Sequence, residues 1–469
     1  MEKTVGQLHE ELKSGKLTVE ALVSECRKII SERDPEIHAL LGLYSDKLIE
    51  SQIEKANQMF AEGKDTLLTG IPIVLKDNIL VEGEKATGGS KILENYKATY
   101  DSTVVKKLKE SGSIILGRAN LDEFAMGSST ENSAYGVTKN PYDKERVAGG
   151  SSGGSAAVVA YGGVPIALGS ETGGSVREPA GFCGIVGLKT TYDTVSRYGL
   201  MAMASSLDQI GPFGKKVEDV EAVFNVISGY DPLDSTSVKE ADRKFDKSFK
   251  KIIGVPRDFI NMEGVDQEVL ANFNESLEKL KKSGYTIRDI SIPHIEKSLA
   301  VYYIIVPAEV SSNMARYDGI RYGLSIKGKD SIEGYFKTRM EGFGPEVRRR
   351  ILLGTYVLSS GYYDAYYNKA QIVKSIITRE IKKIFEDIDL IATPTSPTPA
   401  FKIGEKANDP LAMYLADIFT VPVNITGVPA IAIPSGKTKE GLPLSIQFIA
   451  PHYGEKILFE AGKDFEKLV

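Results

Sequence analysis

Residues 148–189 read AGGSSGGSAAVVAYGGVPIALGSETGGSVREPAGFCGIVGLK, with two serines, Ser151 and Ser175, set in glycine-dense loops. The nearly uncharged run 156–169 is broken by Gly162, Gly163 and Pro165 and falls short of the ~20 residues needed to cross a bilayer. It reads instead as a buried helix, a turn and a buried strand. A Gly/Ser run in isolation is a flexible loop, but here both loops lie between apolar elements that would hold them still. The lysine and Ser/Thr of a phosphate-binding P-loop are missing, as is the spacing of a dinucleotide fingerprint. What remains is a pair of hydroxyls fixed in place.

Upstream, GIPIVLKDNI places Lys76 at the end of a strand-like run. A hydroxyl attacks a carbonyl near neutral pH only with a base beside it, and a buried neutral lysine is an alternative to imidazole. Such an amine must fall by ~3 units from its usual pKa of ~10.4, which burial without a counter-ion supplies. Strand alternation sends Asp77 to the opposite face, where it does not restore the charge. In this arrangement Ser175 is the candidate nucleophile and Ser151 the relay to Lys76, all three within hydrogen-bond reach; Ser152 and Ser155 are alternatives to Ser151 that spacing leaves open. Thr172, Gly173 and Gly174 precede Ser175, and successive N–H groups there can converge on an oxyanion because glycine has no Cβ to prevent it. The bland meanings of the same residues are a solvated strand-end lysine and a turn-capping serine. His9, His38, His294 and His452 occupy no glycine-rich or strand-end context, and HExxH is absent, which disfavours histidine- or metal-based hydrolysis.

Around this centre the chain has the rhythm of an α/β protein. Residues 1–62 carry apolar positions every three or four residues in LTVEALVSECRKII and SDKLIESQIEKANQMFAEG, which predicts a helical N-terminal wrap. From 68 to 229 short apolar runs (IPIVL, SIILG, VPIALG, CGIVGL) alternate with helical stretches such as DSTVVKKLKESG, as expected of a sheet covered on both faces. The polar run 231–251 reads as a surface excursion before the strand IIGVP. Beyond it come an amphipathic helix, QEVLANFNESLEKLKKSG, a helical zone over 331–387, and strands in DLIATPTSP, PAIAIPSG and PLSIQFIA. The expectation is a single α/β domain over 1–469 with a central mixed β-sheet between helix layers. Within it 68–229 forms the core, and 230–469 adds a helical insert and substrate-pocket residues.

A chain of 469 residues, 42% of them hydrophobic, can bury an extensive core. Its 58 basic and 63 acidic residues leave a net charge of −5, without the basic footprint of a protein that grips nucleic-acid phosphates. Any nucleic acid would be held mainly by a partner. Cys26 and Cys183 have no metal-ligand spacing and read as small buried apolar residues in a reducing compartment. The N-terminal MEKTVGQLHEELKSGKL has neither a signal-peptide core nor transit character, so a cytoplasmic protein without membrane association is expected.

KDNI with Lys76, GGSSGGS with Ser151 and ETGGSVREPAGFCGIVGLK with Ser175 together resemble the amidase signature family. The resemblance implies the α/β amidase signature fold and a Ser, cis-Ser, Lys triad: Ser175 attacks an amide carbonyl, Ser151 relays protons with its preceding peptide bond cis, and Lys76 is the base. Within that family, LDEFAMGSSTENSAYGVTKNP, VSRYGLMAMASSLDQIGPF and ADIFTVPVNITGVPAIAIPSG are similar to the glutaminase (A-type) subunits of tRNA-dependent amidotransferases. That likeness implies hydrolysis of glutamine, with ammonia released for transamidation of Glu-tRNA(Gln), Asp-tRNA(Asn) or both. It also implies a heterotrimer with B-type and C-type subunits, mischarged tRNA bound mainly through a partner, and ATP and Mg²⁺ used in the partner, with no cofactor in this chain. By the same likeness Arg350 meets the glutamine α-carboxylate, Asp417 its amino group and Tyr303 lies nearby, while Gly127 and Ser128 form pocket wall; Arg349 and Tyr302 are the alternatives to their neighbours. An independent amidase acting on another small amide is the competing expectation. Thr190, Asp193 and Thr194 stand where the family shows proline, glycine and arginine, and Glu178 where it shows glutamine.

Overall fold

Apolar runs bounded by glycine and proline are too short for helices and pair as strands instead. In the computed structural model, which describes residues 2–245, 247–407 and 409–469, they build one mixed sheet. Its strands are β1 (Leu40–Leu43), β2 (Pro72–Lys76), β3 (Ile114–Ala119), β4 (Ile166–Glu171), β5 (Val186–Lys189), β6 (Gln209–Gly214), β7 (Ile252–Val255), β8 (Thr286–Asp289), β9 (Leu390–Pro394), β10 (Ala430–Lys437) and β11 (Pro443–Ile449). The spatial order is β1-β3-β2-β4-β6-β5-β10-β11-β9-β7-β8. β2 runs parallel to β3 and β4, with Lys76 opposite Ala119 and Leu75 opposite Leu168. On its other side β4 meets β6 antiparallel, Glu171 opposite Gln209. The sheet therefore changes from parallel to antiparallel pairing at β4, and the segments leaving the carboxyl ends of β2 and β4 lie side by side there, where open α/β sheets place their sites.

Helices cover both faces. Along β11, Phe448 packs edge-on against Phe465 of the helix Glu455–Glu466. Its neighbour Gln447 points the other way and is bonded by Arg177 of the helix Arg177–Phe182. The expected mixed α/β architecture is thus present. The helix Gly153–Ala160, between the two serine loops, is buried except at Ala160. The N-terminal helices Val5–Lys13 and Val19–Ile37 start at the caps Thr4 and Thr18, and the backbone N–H of Val5 donates to Asp219 Oδ1 at 2.7 Å, tying the first helix to the core. The zone 331–387 holds the helices Ser331–Gly342, Pro345–Val357 and Lys369–Ile384, with a π-helical turn at Tyr363–Asn368. The polar run 231–251 is anchored by Asp234, which pairs with Arg197 at 2.8 Å; Asp246 within it lies outside the described residues.

Strands β1, β6 and β8 are not anticipated in the sequence. β6, QIGPFG, interrupts its apolar residues with Pro212 and two glycines, which weakens any strand signal. Gly211 is required there by close approach, since a Cβ would come within 2.2 Å of the Leu188 carbonyl oxygen. At 190–194 the chain keeps a left-handed residue although Asp193 is not glycine: its φ is +88°, and Tyr453 donates to its carboxylate at 3.1 Å.

Gly154 packs the central helix on its surroundings so tightly that a Cβ would sit 2.3 Å from the Ala39 carbonyl oxygen and 2.6 Å from the Asn120 nitrogen. Gly154→Ala is expected to lower stability by roughly 1–3 kcal/mol, as overpacking of a filled core does. A thermal midpoint equal to that of the unaltered protein would contradict this packing.

Candidate active site

Lys76 ends β2 and turns its side chain inward, fully buried. Its Nζ lies 2.7 Å from Ser151 Oγ, 2.8 Å from Ser152 Oγ and 3.1 Å from the Ser170 carbonyl oxygen. None of these three is a carboxylate. Burial lowers the pKa of the amine to about 7, while Asp122, Asp208 and Glu171, at longer range, pull it back upward. Asp77 points elsewhere, to Arg118 at 3.1 Å and to the Thr87 hydroxyl and backbone N–H. In the neutral amine two N–H groups serve Ser152 and Ser170, and the nitrogen lone pair is left to receive the Ser151 proton. The Ser152 hydroxyl donates to the Ser170 carbonyl at 3.0 Å and Ser155 to the Leu168 carbonyl at 2.9 Å, so Ser155 belongs to the packing of β4.

The two serine loops are stitched together through their backbones. The Asp122 N–H donates to the Ser151 carbonyl and the Ser152 N–H to the Ser175 carbonyl, each at 3.2 Å. The Gly150–Ser151 peptide bond is cis. Ser175 retains 8% exposure. The expectation of three groups in mutual hydrogen-bond reach needs correction at one link: among the described residues the Ser175 hydroxyl makes no hydrogen bond to Ser151. The stitching fixes the Ser175 carbonyl and leaves the hydroxyl free to rotate, and contacts of this kind tighten when substrate fills the site. Before it, the N–H groups of Gly173, Gly174 and Ser175 donate to no group among the described residues, while the Thr172 hydroxyl is turned to Asp208 at 2.8 Å.

A buried ion pair holds that loop. The Glu171 carboxylate accepts the N–H groups of Val176 at 3.0 Å and Arg177 at 3.1 Å, and the Arg177 Nε at 2.9 Å. Arg177 continues to Gln447 Oε1 at 2.7 Å, the Thr420 carbonyl at 2.9 Å and Asn424 Oδ1 at 2.6 Å. Burial works to raise the Glu171 pKa, but Arg177 and Lys189 outweigh it and bring it below the ordinary carboxylate value. Sequence reasoning misses this pair, although a signal is present: two charges flank an otherwise uncharged glycine loop.

The residues expected to bind substrate converge beside the loop. Arg350 is buried and donates through Nε to Glu346 at 2.7 Å, with its guanidinium 5.7 Å from the Tyr303 ring. Tyr303 stacks on Tyr414 with centroids 3.6 Å apart. Arg349 also pairs with Glu346, but from the rim, where it is more exposed. Tyr302 abuts Gly173, at which a Cβ would lie 2.6 Å from the phenol oxygen. Asp417 accepts the Ser128 hydroxyl at 2.7 Å and sits 3.2 Å from where a Gly174 Cβ would be, so it borders the nucleophile loop. Its pKa is raised to about 7 by burial, against the pull of Ser128 and Arg350. Gly127 admits no side chain, because a Cβ would fall 2.3 Å from the Asp122 carboxyl carbon. A cavity of about 470 Å³, walled by Gly127, Ser129, Arg350, Lys406 and Tyr414, leads in from the surface. A larger one of about 650 Å³ beside His452 contains none of these residues.

The family model described as Amidase matches residues 21–459. The chain belongs to the amidase family. Among curated amidase relatives, the A subunit of the glutamyl-tRNA(Gln) amidotransferase of Thermoanaerobacter pseudethanolicus is 53% identical, the match covering 99% of this chain and 96% of that one. Its counterpart from Thermodesulfovibrio yellowstonii is 50% identical over 97% and 95%. Among solved amidase structures, the A subunit of the Thermotoga maritima glutamyl-tRNA(Gln) amidotransferase superposes with a TM-score of 0.81 at 43% identity, covering 99% of this chain and 94% of that one. The chain is thus an amidase-type enzyme, and a Ser, cis-Ser, Lys triad is characteristic of this family. Among the described residues no cluster of three or more His, Cys, Asp or Glu side chains could hold a metal ion, and no helix is long and apolar enough to cross a membrane. Cys26 and Cys183 are both buried.

Removing Arg177 would leave Glu171 buried and uncompensated. Arg177→Met is expected to cost about 3–5 kcal/mol, and the double replacement Arg177→Met with Glu171→Gln to recover part of it. Urea unfolding of the three proteins checks this; equal stability of the single and double variants would contradict the pairing.

Proposed function

We propose that this chain is the glutamine-hydrolysing component of a tRNA-dependent amidotransferase, folded as a single domain over residues 1–469. The observation that carries the proposal is the buried Lys76 amine on Ser151, with no carboxylate bonded to it, together with Asp417 buried against the nucleophile loop and Arg350 in the wall of a nearby cavity. Glutamine presents a carboxylate and an ammonium, and a selective pocket needs one group of each opposite sign. Arg350 takes the α-carboxylate, Asp417 the amino group, and Tyr303, Gly127 and Ser128 shape the wall.

With the amide carbonyl over Gly173, Ser175 Oγ attacks its carbon while the Ser175 proton moves to Ser151 and that of Ser151 to Lys76. The oxyanion collects the N–H groups in the run Thr172, Gly173 and Gly174, and donors of this kind contribute roughly 2.7–4 kcal/mol each. The proton returns through Ser151 to the nitrogen, the C–N bond breaks, and ammonia leaves a glutamyl ester on Ser175. Water, deprotonated by the same relay, frees glutamate. The ammonia serves transamidation of Glu-tRNA(Gln), Asp-tRNA(Asn) or both in a heterotrimer with B-type and C-type subunits, in the cytoplasm. The partner binds the mischarged tRNA and uses ATP and Mg²⁺. The similarity to amidotransferase A subunits over nearly the whole of both chains supports this over an independent amidase.

Ammonia release from glutamine by the chain, alone and with its partner subunits and charged tRNAs, tests the proposal; broad amide turnover indifferent to partners would defeat it. Lys76→Ala should lower kcat by far more than tenfold, about 1.4 kcal/mol of barrier, while glutamine still binds. Arg350→Ala should raise KM by roughly 10- to 100-fold, the ~1.5–3 kcal/mol of a hydrogen bond to a charged group. The base acts only when unprotonated, so kcat should decline as pH falls through about 7, the value to which burial brings Lys76. A kcat flat well below that pH would exclude Lys76 as the base.

A further inference from the structure

Glu178 lies three residues after Ser175 in the short helix Arg177–Phe182 and is completely buried. One carboxyl oxygen, Oε2, accepts the N–H of Gly150 at 2.9 Å, which is the residue immediately before Ser151. The fit is tight, since a Cβ on Gly149 would come within 2.7 Å of the same oxygen. The other oxygen, Oε1, is buried with no hydrogen-bond partner among the described residues. The charged groups whose fields reach this carboxyl group are Asp417, Lys406 in the cavity wall and Asp122 beside Gly150, and its charge is felt in turn by the Cys183 thiol. Two of the three charged neighbours are acids. A carboxylate with one oxygen bare among other acids is very costly to bury, whereas a carboxylic acid leaves only an O–H there and still presents a carbonyl oxygen to Gly150.

We propose that Glu178 is a positioning residue for the relay serine: as the neutral acid it holds the Gly150 amide, and so Ser151 between Lys76 and Ser175, and losing its proton disables the relay. Burial, and then repulsion from Asp417, raise its pKa well above the ordinary carboxyl value, which favours the acid form in the folded protein. Forcing a charge onto Glu178 would repel it from Asp417 and Asp122 and drag the Gly150 amide with it. The site then works in a window with two edges. Lys76 must have given up its proton and Glu178 must have kept its own. This rests on the triad reading and not on glutamine being the substrate.

The test is the rate at which a fluorophosphonate labels Ser175 in the full-length chain, measured from acid to alkaline pH. The unaltered protein should show a rise and, at higher pH, a fall. Glu178→Gln, which keeps a carbonyl for Gly150 and cannot ionise, should keep the rise, stay within about threefold at the plateau and lack the fall. Glu178→Ala should lose more than about tenfold in plateau rate while its thermal midpoint and circular dichroism report whether it is folded. A fall at the same pH in Glu178→Gln would overturn the inference, as would a folded Glu178→Ala protein that labels at the full rate. Absence of labelling in the unaltered protein would instead remove the triad reading itself, and this inference with it.

Discussion

The amine at the end of β2 is buried with no carboxylate bonded to it among the described residues. Lys76 is enclosed by two hydroxyls and a carbonyl, and its sequence neighbour Asp77 is occupied by Arg118 and Thr87. Desolvation is thereby turned into basicity at neutral pH. The acids that do feel the amine, Asp122, Asp208 and Glu171, are each employed elsewhere. Asp122 accepts three backbone N–H groups around 129–132, Asp208 takes Thr172 and the N–H groups of Met203 and Ala204, and Glu171 takes Arg177. The same bonds that keep these carboxylates from the lysine also shape the loops that carry the serines.

Proximity between chemistry and recognition comes from glycine. Gly173 brings the Tyr302 phenol and Gly174 the Thr420 hydroxyl against the backbone next to Ser175 at separations no side chain would permit, with the Asp417 carboxyl group close beside them. In the proposed pocket, a ligand ammonium on Asp417 would lie near the reacting carbonyl, and its positive charge would draw the Asp417 pKa down from about 7. Arg350 carries Glu346 as a permanent partner, which fixes the guanidinium before any substrate arrives.

Much of this is legible in the residues. The alternation IPIVL, SIILG, VPIALG and CGIVGL marks strands where they stand, and the glycine loops around Ser151 and Ser175 do flank a buried helix. What escapes reading lacks a local pattern. β6 breaks its run with Pro212, β1 is four residues long, and β8 is largely exposed at the sheet's end, so each exists through its neighbours rather than its own propensity. Spacing does not separate Ser152 from Ser151. The fold gives Ser152 a share of Lys76 together with Ser170, a supporting contact. The Glu171–Arg177 pair leaves a local trace in the two charges that flank the glycine loop, but its remaining partners, Thr420, Asn424 and Gln447, are distant in sequence and leave none.

That last separation has a consequence for the making of the protein. The guanidinium that braces the nucleophile loop reaches a glutamine 270 positions further along the chain, on β11. On the ribosome, the first half can collapse around its parallel strands long before that strand emerges, and domains mature only as their last tertiary partners arrive. A nascent or truncated polypeptide thus carries all three triad residues yet leaves the loop unbraced. The bracing of the nucleophile loop is deferred until β11 has been made.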